Sequence, residues 1–472
     1  MQDTLKKSFL MKTFKALSLA AIFACAAFAQ DTNQELLRHY RALIQINTSS
    51  PPGNETAAVE YLKKVLEAEG IPVKVFSQDP ARANLVARLK GNGKKKPLLL
   101  MAHTDVVPVQ REKWPVDPFG AILKDGYVWG RGSKDDKDKL AALLMVILRA
   151  KRAGVTLDRD LIFLAESGEE ADPTGVGITF MVANHFDEIN AEFALTEGGG
   201  VTLDTSGKAT VVTVGTTEKV PRRVRLIATG ISGHGSVPRL DNSLIHLSAA
   251  VAKIGTWETP MRLNETTRTY FEKLATMSTP EQAARYNALL QSNPPEAVQK
   301  YLAANEPSRY SMLRTSVVPT MMKAGVGANV IPSEAEATID IRALPDEDMP
   351  KFYAAMKDII NDPAVRIEPI TANLRPAGPP SPLNSEMYRA LERVSKQMYP
   401  AATVLPTMST GASDMAQTRA KGIPSYGIGP ASSESDSALY GAHGDVERLA
   451  ESSLYGLEDF VWKAVMEVSA PE

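Results

Sequence analysis

The apolar positions of this chain switch between two periods along its length. Segments 33–46 and 55–69 repeat at helical spacing, and in the second Ala58, Tyr61, Leu62, Val65 and Leu66 share one face. Short strands are predicted at 73–76 and 85–89. The unbroken apolar run at 97–101, Pro-Leu-Leu-Leu-Met, suits a strand covered on both faces. A strongly apolar helix is predicted over 140–150, and further buried strands over 161–165 and 192–195. Strand and helix therefore alternate through the first half, which predicts an α/β domain with a largely parallel sheet.

The texture changes near Arg222. A strand at 222–229 leads into Ser232-Gly233-His234-Gly235-Ser236 and then a helix over 243–254. Residues 265–313 read as a polar helical insertion, expected to enlarge this second domain. A half-exposed strand at 335–342 and a helix at 349–360 complete an α+β block. The Pro-rich stretch 371–382 reads as a return linker, after which a helix at 385–399 resumes the first style. The expectation is a parallel-sheet domain formed by 30–220 and 371–472, with an α+β domain, 221–370, inserted into it.

Composition narrows the picture. With 472 residues, 44% hydrophobic and 23% charged, the chain is ordinary globular material for two domains. A net charge of −2 carries no nucleic-acid footprint. Residues 1–29 read as a secretory signal: Lys6, Lys7, Lys12 and Lys15 precede an apolar run at 16–28 that ends in Ala27-Phe28-Ala29. That run is short for a stable membrane span. Export to a periplasm or beyond is the expectation. The single cysteine, Cys25, lies inside this segment, and lipid attachment there is the alternative processing. After cleavage at Ala29 no cysteine remains, so a bound metal would have to be held by His, Asp and Glu.

Residues of those types recur where open α/β sheets place their ligands. His103-Thr104-Asp105 follows the run at 97–101. In extended chain a histidine and the aspartate two residues on point the same way, so the acid can fix the ring. Asp135, in Trp129-Gly130-Arg131-Gly132-Ser133-Lys134-Asp135-Asp136-Lys137, stands at a helix start, where helix capping explains it equally well. Glu169 and Glu170 close the strand at 161–165. Adjacent carboxylates repel unless a positive charge intervenes, and a metal would occupy one and leave the other as a base. Glu197 precedes three glycines, which would let backbone approach a ligand or form a flexible hairpin. His443 lies in Gly441-Ala442-His443-Gly444-Asp445-Val446-Glu447-Arg448, and alone would read as structural. His234 sits in a Gly-rich turn that exposes its ring, as a candidate donor to substrate. His39, His185 and His246 fall in unpatterned settings and receive no chemistry.

Taken together, in order through nearly the whole mature chain, these motifs resemble a known family. It is the co-catalytic zinc metallopeptidases of the aminoacylase, carnosinase, glutamate carboxypeptidase and succinyl-diaminopimelate desuccinylase type (clan MH). The set comprises H-T-D, W-G-R-G-S-K-D-D-K, E-E, E-G-G, S-G-H-G-S-V-P, N-V-I-P, I-D-I-R, G-A-S-D, G-I-G-P and A-H-G-D-V-E-R. Asp136 after Asp135 leans towards the carboxypeptidase S and N-acyl-amino-acid hydrolase branch. Gly168 stands where many members have Asp.

The resemblance implies two Zn2+ ions, with Co2+ or Mn2+ as alternatives. His103 and Glu197 would hold one, Glu170 and His443 the other, and Asp135 would bridge them. Asp105 would orient His103, Glu169 would be general base and acid, and the Asp135–Asp136 peptide would be cis. Segment 221–370 would be a lid and homodimerisation domain, from which His234 would stabilise an oxyanion across the dimer. Asn329 and Arg342 would contact substrate, and Gly411 to Asp414, including Ser413, would line its pocket. The implied reaction is amide hydrolysis in small peptides by a bridging hydroxide. N-acyl-amino-acid deacylation is the alternative within that mechanism, and an exported non-catalytic binding protein the alternative outside it.

Overall fold

Every residue of the strand Leu98–His103 is buried, and the strand lies in the middle of a ten-stranded sheet. The computed structural model describes residues 31–170, 175–372 and 374–471. The signal-like segment and Cys25 lie outside them. The sheet runs in the order 73–76, 84–89, 161–166, 98–103, 193–196, 425–427, 209–218, 200–203, 431–433, with 403–409 also paired to 209–218. The central strands 161–166, 98–103, 193–196 and 425–427 are mutually parallel. The first two strands form an antiparallel hairpin on one flank, and 200–203 pairs antiparallel with 209–218 on the other.

The unbroken apolar run follows from this placement. Leu98, Leu100 and Ala102 face one core, shared with the helices Lys137–Arg152 and Glu451–Ser469. Leu99 and Met101 face a second core, closed by Ile178 and Met181 of the helix Ile178–Asn184. Successive side chains leave opposite faces of a strand, so a sheet covered on both sides shows no polar alternation. Parallel order also brings several strand C-termini to one edge, and His103, Glu169, Glu170 and Glu197 collect there.

A separate antiparallel sheet joins Val220–Pro221, Val224–Thr229, Ser316–Ala324, Glu334–Ala343 and Val365–Pro369. Here the period is two. Ala335, Ala337, Ile339 and Ile341 pack under the helices Ser243–Gly255 and Met349–Ile360. The alternate face carries Glu336, Asp340 and Arg342, laced to Arg225 and Arg223 by ion pairs.

The helices between 265 and 312 differ from expectation. They do not extend the antiparallel sheet. Phe271, Leu274, Tyr286 and Leu302 bury against Leu405 and Met408 of the strand Thr403–Ser409 in the large sheet. Thr266 bonds Thr216 at 2.8 Å, and Lys273 pairs with Glu392. The polar composition of this segment hid a narrow apolar face, which covers an otherwise bare sheet flank. Among the described residues no helix is long and apolar enough to cross a membrane.

Candidate active site

Local structure sets each functional group. His103 is the last residue of its strand, and Glu197 immediately follows Phe193–Thr196. Glu169 and Glu170 turn off the end of Leu161–Glu166. Asp135 does not follow a strand of the main sheet. It comes after Tyr127–Trp129, part of a small three-stranded sheet with 122–124 and 448–450, and precedes the helix Lys137–Arg152. The N-cap position belongs to Asp136, whose side chain makes no capping bond. The Asp135–Asp136 peptide is cis.

These groups converge. His103, Asp135, Asp136 and Glu197 offer ligand atoms within 4.8 Å of one another, and Asp135, Glu170 and His443 form a second such group. Asp135 belongs to both. His103 Nε2 lies 3.0 Å from Asp135 Oδ1, while His443 Nε2 lies 3.2 Å from Asp135 Oδ2 and 2.8 Å from Glu170 Oε2. Asp136 is already committed. Its carboxylate accepts the His103 backbone N–H at 3.2 Å and pairs with Lys139 at 2.9 Å. That leaves His103, Asp135 and Glu197 in one group and Asp135, Glu170 and His443 in the other.

The electrostatics of the cluster are set by burial and by the pairing of its carboxylates with the two histidines. Burial and the nearby Asp135 charge push Glu197 well above the usual carboxylate range. Burial pushes Glu170 up to about 7, against the pull of His443. Hydrogen bonds to Asp135 and Glu170 carry His443 up to about 10. Burial disfavours charge on His103, but its bonds to Asp105 and Asp135 outweigh that and raise it. Glu197 and Glu170 are thus raised by burial beside a crowded set of carboxylates, whereas Asp135, despite its burial, is held well below the usual carboxylate range by its bonds to His103 and His443. Imidazole and carboxylate donors arranged as two groups with one shared carboxylate fit a pair of borderline divalent ions. Beside them a cavity of about 370 Å3 is lined by Asp135, Glu197, Thr202, Ser432 and Gly441 among others.

Asp105 does more than was expected of it. The ring Nδ1 of His103 lies 3.0 Å from the Asp105 backbone carbonyl and 3.6 Å from its carboxylate. That carboxylate instead accepts the backbone N–H groups of Glu169 and Glu170, both at 3.1 Å. One buried residue therefore orients the histidine and shapes the turn that carries the two glutamates. The glycines after Glu197 also serve another purpose. A Cβ on Gly199 would lie 2.4 Å from the Gly427 carbonyl and 2.5 Å from that of Thr213, so strand packing demands glycine there.

The remaining expected residues are dispersed. His234 pairs with Val330 in a two-residue ladder of the inserted block, and the Asn329 carbonyl accepts Gly235 N–H at 2.7 Å. Ser236 N–H donates to His234 Nδ1 at 3.2 Å, and Nδ1 also lies 2.7 Å from Ser236 Oγ. Arg342 is held by Asp340 at 2.8 Å. None of these three side chains bonds a residue of the cluster among the described residues. Gly411 N–H bonds Ser409 Oγ at 3.1 Å. Ser413 is buried, and its hydroxyl donates to Glu218 at 2.6 Å, so it braces the loop rather than facing an open pocket.

Two further residues went unremarked in the sequence. Glu447, fully buried, accepts from Arg131 Nη1 at 2.7 Å and from the backbone N–H groups of Gly132 (3.1 Å) and Lys134 (2.6 Å). Arg131 Nη2 also bonds the Gly444 carbonyl at 2.8 Å. This clamp joins the loop bearing Asp135 to the loop bearing His443, whose φ is 62°. Glu447 stood in the A-H-G-D-V-E-R motif, but its partner is 316 residues away. Arg375, from the return linker, ion-pairs with Glu169 at 2.7 Å and with Asp414 at 3.2 Å.

A family model described as peptidase family M20/M25/M40 matches residues 99–467, a span that includes all five expected metal ligands. The chain belongs to this family. Among relatives it is 32% identical to a probable carboxypeptidase S-like 2 of Dictyostelium discoideum, over 71% of this chain and 64% of that one. The chain thus spans slightly less than two thirds of that relative. It is 28% identical to the human N-fatty-acyl-amino acid synthase/hydrolase PM20D1 over 82% of this chain and 78% of that one. Human aminoacylase-1 is also 28% identical, over 83% and 86%. In fold it is similar to an M20 family metallo-carboxypeptidase of Sulfolobus solfataricus (TM-score 0.68, 20% identity, 91% of this chain and 98% of that one). Human carnosine dipeptidase 1 gives a TM-score of 0.63 at 13% identity, over 94% and 98%. Membership places the chain among metallopeptidases and related amidohydrolases.

Proposed function

We propose that this protein is an exported, two-zinc hydrolase that cleaves the amide bond of small peptides bearing a free α-carboxylate. The observation that carries this reading is the pair of ligand groups meeting at Asp135. His103 and Glu197 would hold one ion, Glu170 and His443 the other, and Asp135 both. When bound, the ions would polarise the amide carbonyl and make water acidic enough to deprotonate near neutral pH. Glu169 would take that proton and return it to the leaving amine, a role suited to a buried carboxyl raised above its usual range by desolvation. Asp105 and Glu447 would hold the ligand loops in register. Residues 221–370 would form the lid. From it His234 would donate to the developing oxyanion, and Asn329 and Arg342 would receive the substrate carboxylate.

In this reading the lid also makes the homodimer. The strand Ser316–Ala324 exposes Val318, Met321 and Met322 by 49%, 67% and 53%, an apolar edge of the kind that pairs with another chain. The likeness to human PM20D1 and aminoacylase-1 supports a second reading, N-acyl-amino-acid deacylation by the same residues.

Metal analysis of the purified protein, with a hydrolysis panel of dipeptides and N-acyl amino acids under zinc, cobalt or manganese, tests the metal and substrate assignments. Two ions per chain and chelator-sensitive turnover are expected, and the favoured panel half separates the two readings. Absence of both metal and turnover would leave a binding protein instead.

A further inference from the structure

The linker that returns from the antiparallel block reaches into the cluster. Arg375 Nη2 donates to Glu169 Oε1 at 2.7 Å and to the Glu169 backbone carbonyl at 2.9 Å. Its Nη1 donates to Asp414 Oδ1 at 3.2 Å. A single guanidinium therefore grips both ends of Glu169, side chain and main chain, and ties it to the G-A-S-D loop. Glu169 Oε2 has no hydrogen-bond partner among the described residues. The linker itself is fixed. The Arg375 carbonyl accepts Arg222 Nη1 at 2.9 Å, and Ile370 N–H bonds the Arg223 carbonyl at 2.9 Å, so both chain crossings between the two sheets are stitched together at this point. Beyond Arg375, Asp414 lies against Glu166, a second buried carboxyl. Among the described residues, Arg375 is the only cation that a hydrogen bond holds to Glu166, Glu169 or Asp414.

We propose that Arg375 is the positioning residue for Glu169: it fixes the side-chain rotamer by holding Oε1 and leaves Oε2 to exchange the proton with water. This rests on Glu169 being the general base. Without the grip, an anionic side chain among Asp105, Asp135 and Asp414 would swing away from them, because like charges repel and Oε1 would have no fixed partner. The planar fork explains the choice of arginine, since one group must reach three acceptors set at fixed angles. A small displacement of a proton-transfer group is enough to cost roughly a hundredfold in rate.

The test uses the full-length, zinc-loaded protein and whichever dipeptide or N-acyl amino acid it turns over fastest. Arg375→Ala should lower kcat about thirtyfold, with KM changed less than about threefold and zinc content unchanged. Guanidinium at millimolar concentration should recover several-fold of the lost kcat in Arg375→Ala and none in wild type. Arg375→Lys, which supplies charge without the fork, should fall between. Retained kcat overturns the proposal. A loss confined to KM overturns it by assigning Arg375 to substrate, and a loss of zinc or of guanidinium rescue overturns it by assigning a structural role. Glu169→Gln separates the layers. If that variant is active the base assignment fails. If it is dead while Arg375→Ala is fully active, only the positioning role fails.

Discussion

Glu447 offers the sharpest test of how the ligand loops are held. Glu447→Gln keeps size and shape but removes the charge and one acceptor oxygen. In the native protein three donors converge on the carboxylate: Arg131 Nη1 at 2.7 Å and Gly132 N–H at 3.1 Å on Oε2, and Lys134 N–H at 2.6 Å on Oε1. An amide presents one oxygen, so its NH2 must point at one of these donors. Both side chains of the pair are nearly inaccessible, 4% for Arg131 and 0% for Glu447, so water cannot replace what is lost. Breaking a buried pair from one side costs about 3–5 kcal/mol. An orphaned buried N–H costs roughly 1–3 kcal/mol, part of which is the same loss counted again. The expected destabilisation is about 4 kcal/mol, a large share of the roughly 5–15 kcal/mol that holds a domain folded. Urea unfolding of the metal-stripped protein should show the midpoint falling with an unchanged slope. Because Lys134 immediately precedes Asp135, zinc affinity should fall about 10- to 100-fold as well. A variant within about 1 kcal/mol of wild type, with normal zinc affinity, would refute the clamp.

Three other outcomes follow from the same geometry. Glu169→Gln should lower kcat by about 10²–10⁴ while leaving zinc content near normal, and an active variant would remove Glu169 as base. His103→Ala should lose zinc together with rate, since it strips one ion's only imidazole. Metal analysis after dialysis decides this, and full occupancy would contradict the ligand set. His246, bonded to Asp362 at 2.7 Å and near Asp241, is raised above its ordinary 6.5 by those carboxylates. A raised folded-state value means the pair's stabilisation is complete below about pH 6.5 and is lost as pH rises through the higher folded value. Thermal melts of wild type and His246→Gln should therefore differ most at mildly acidic pH and converge on the alkaline side, and a constant difference would count against the ion pair.

Among the candidate ligands, His103, Glu170 and Glu197 were legible in the chain because their signal is local, whereas Asp135 and His443 stood out only within the ordered set of motifs. A His, Asp or Glu at the close of an apolar strand is recognisable without knowing what lies opposite. Strand order then gathers such positions at one edge of the sheet. The alternating buried positions at 335–343 and the double-faced apolar run at 98–102 were readable for the same reason. Burial imposes a period on sequence wherever an element has one or two covered faces.

What escaped was pairing at long range and the destination of weakly patterned segments. Arg375 meets Glu169 across 206 residues and Arg131 meets Glu447 across 316, and no local pattern encodes either partnership. The helices at 265–312 carried too narrow an apolar face to announce which sheet they cover, and only packing against Leu405 and Met408 settled it. Asp105 could be placed near His103 by its spacing, yet its carboxylate turned to two backbone N–H groups 64 and 65 residues on. By itself the sequence determined the candidate donor types, the fold class and the family. The tertiary structure decided which neighbouring carboxylates are committed elsewhere and which buried charges hold the loops, because most buried polar groups are paired with whatever partner the fold brings within reach.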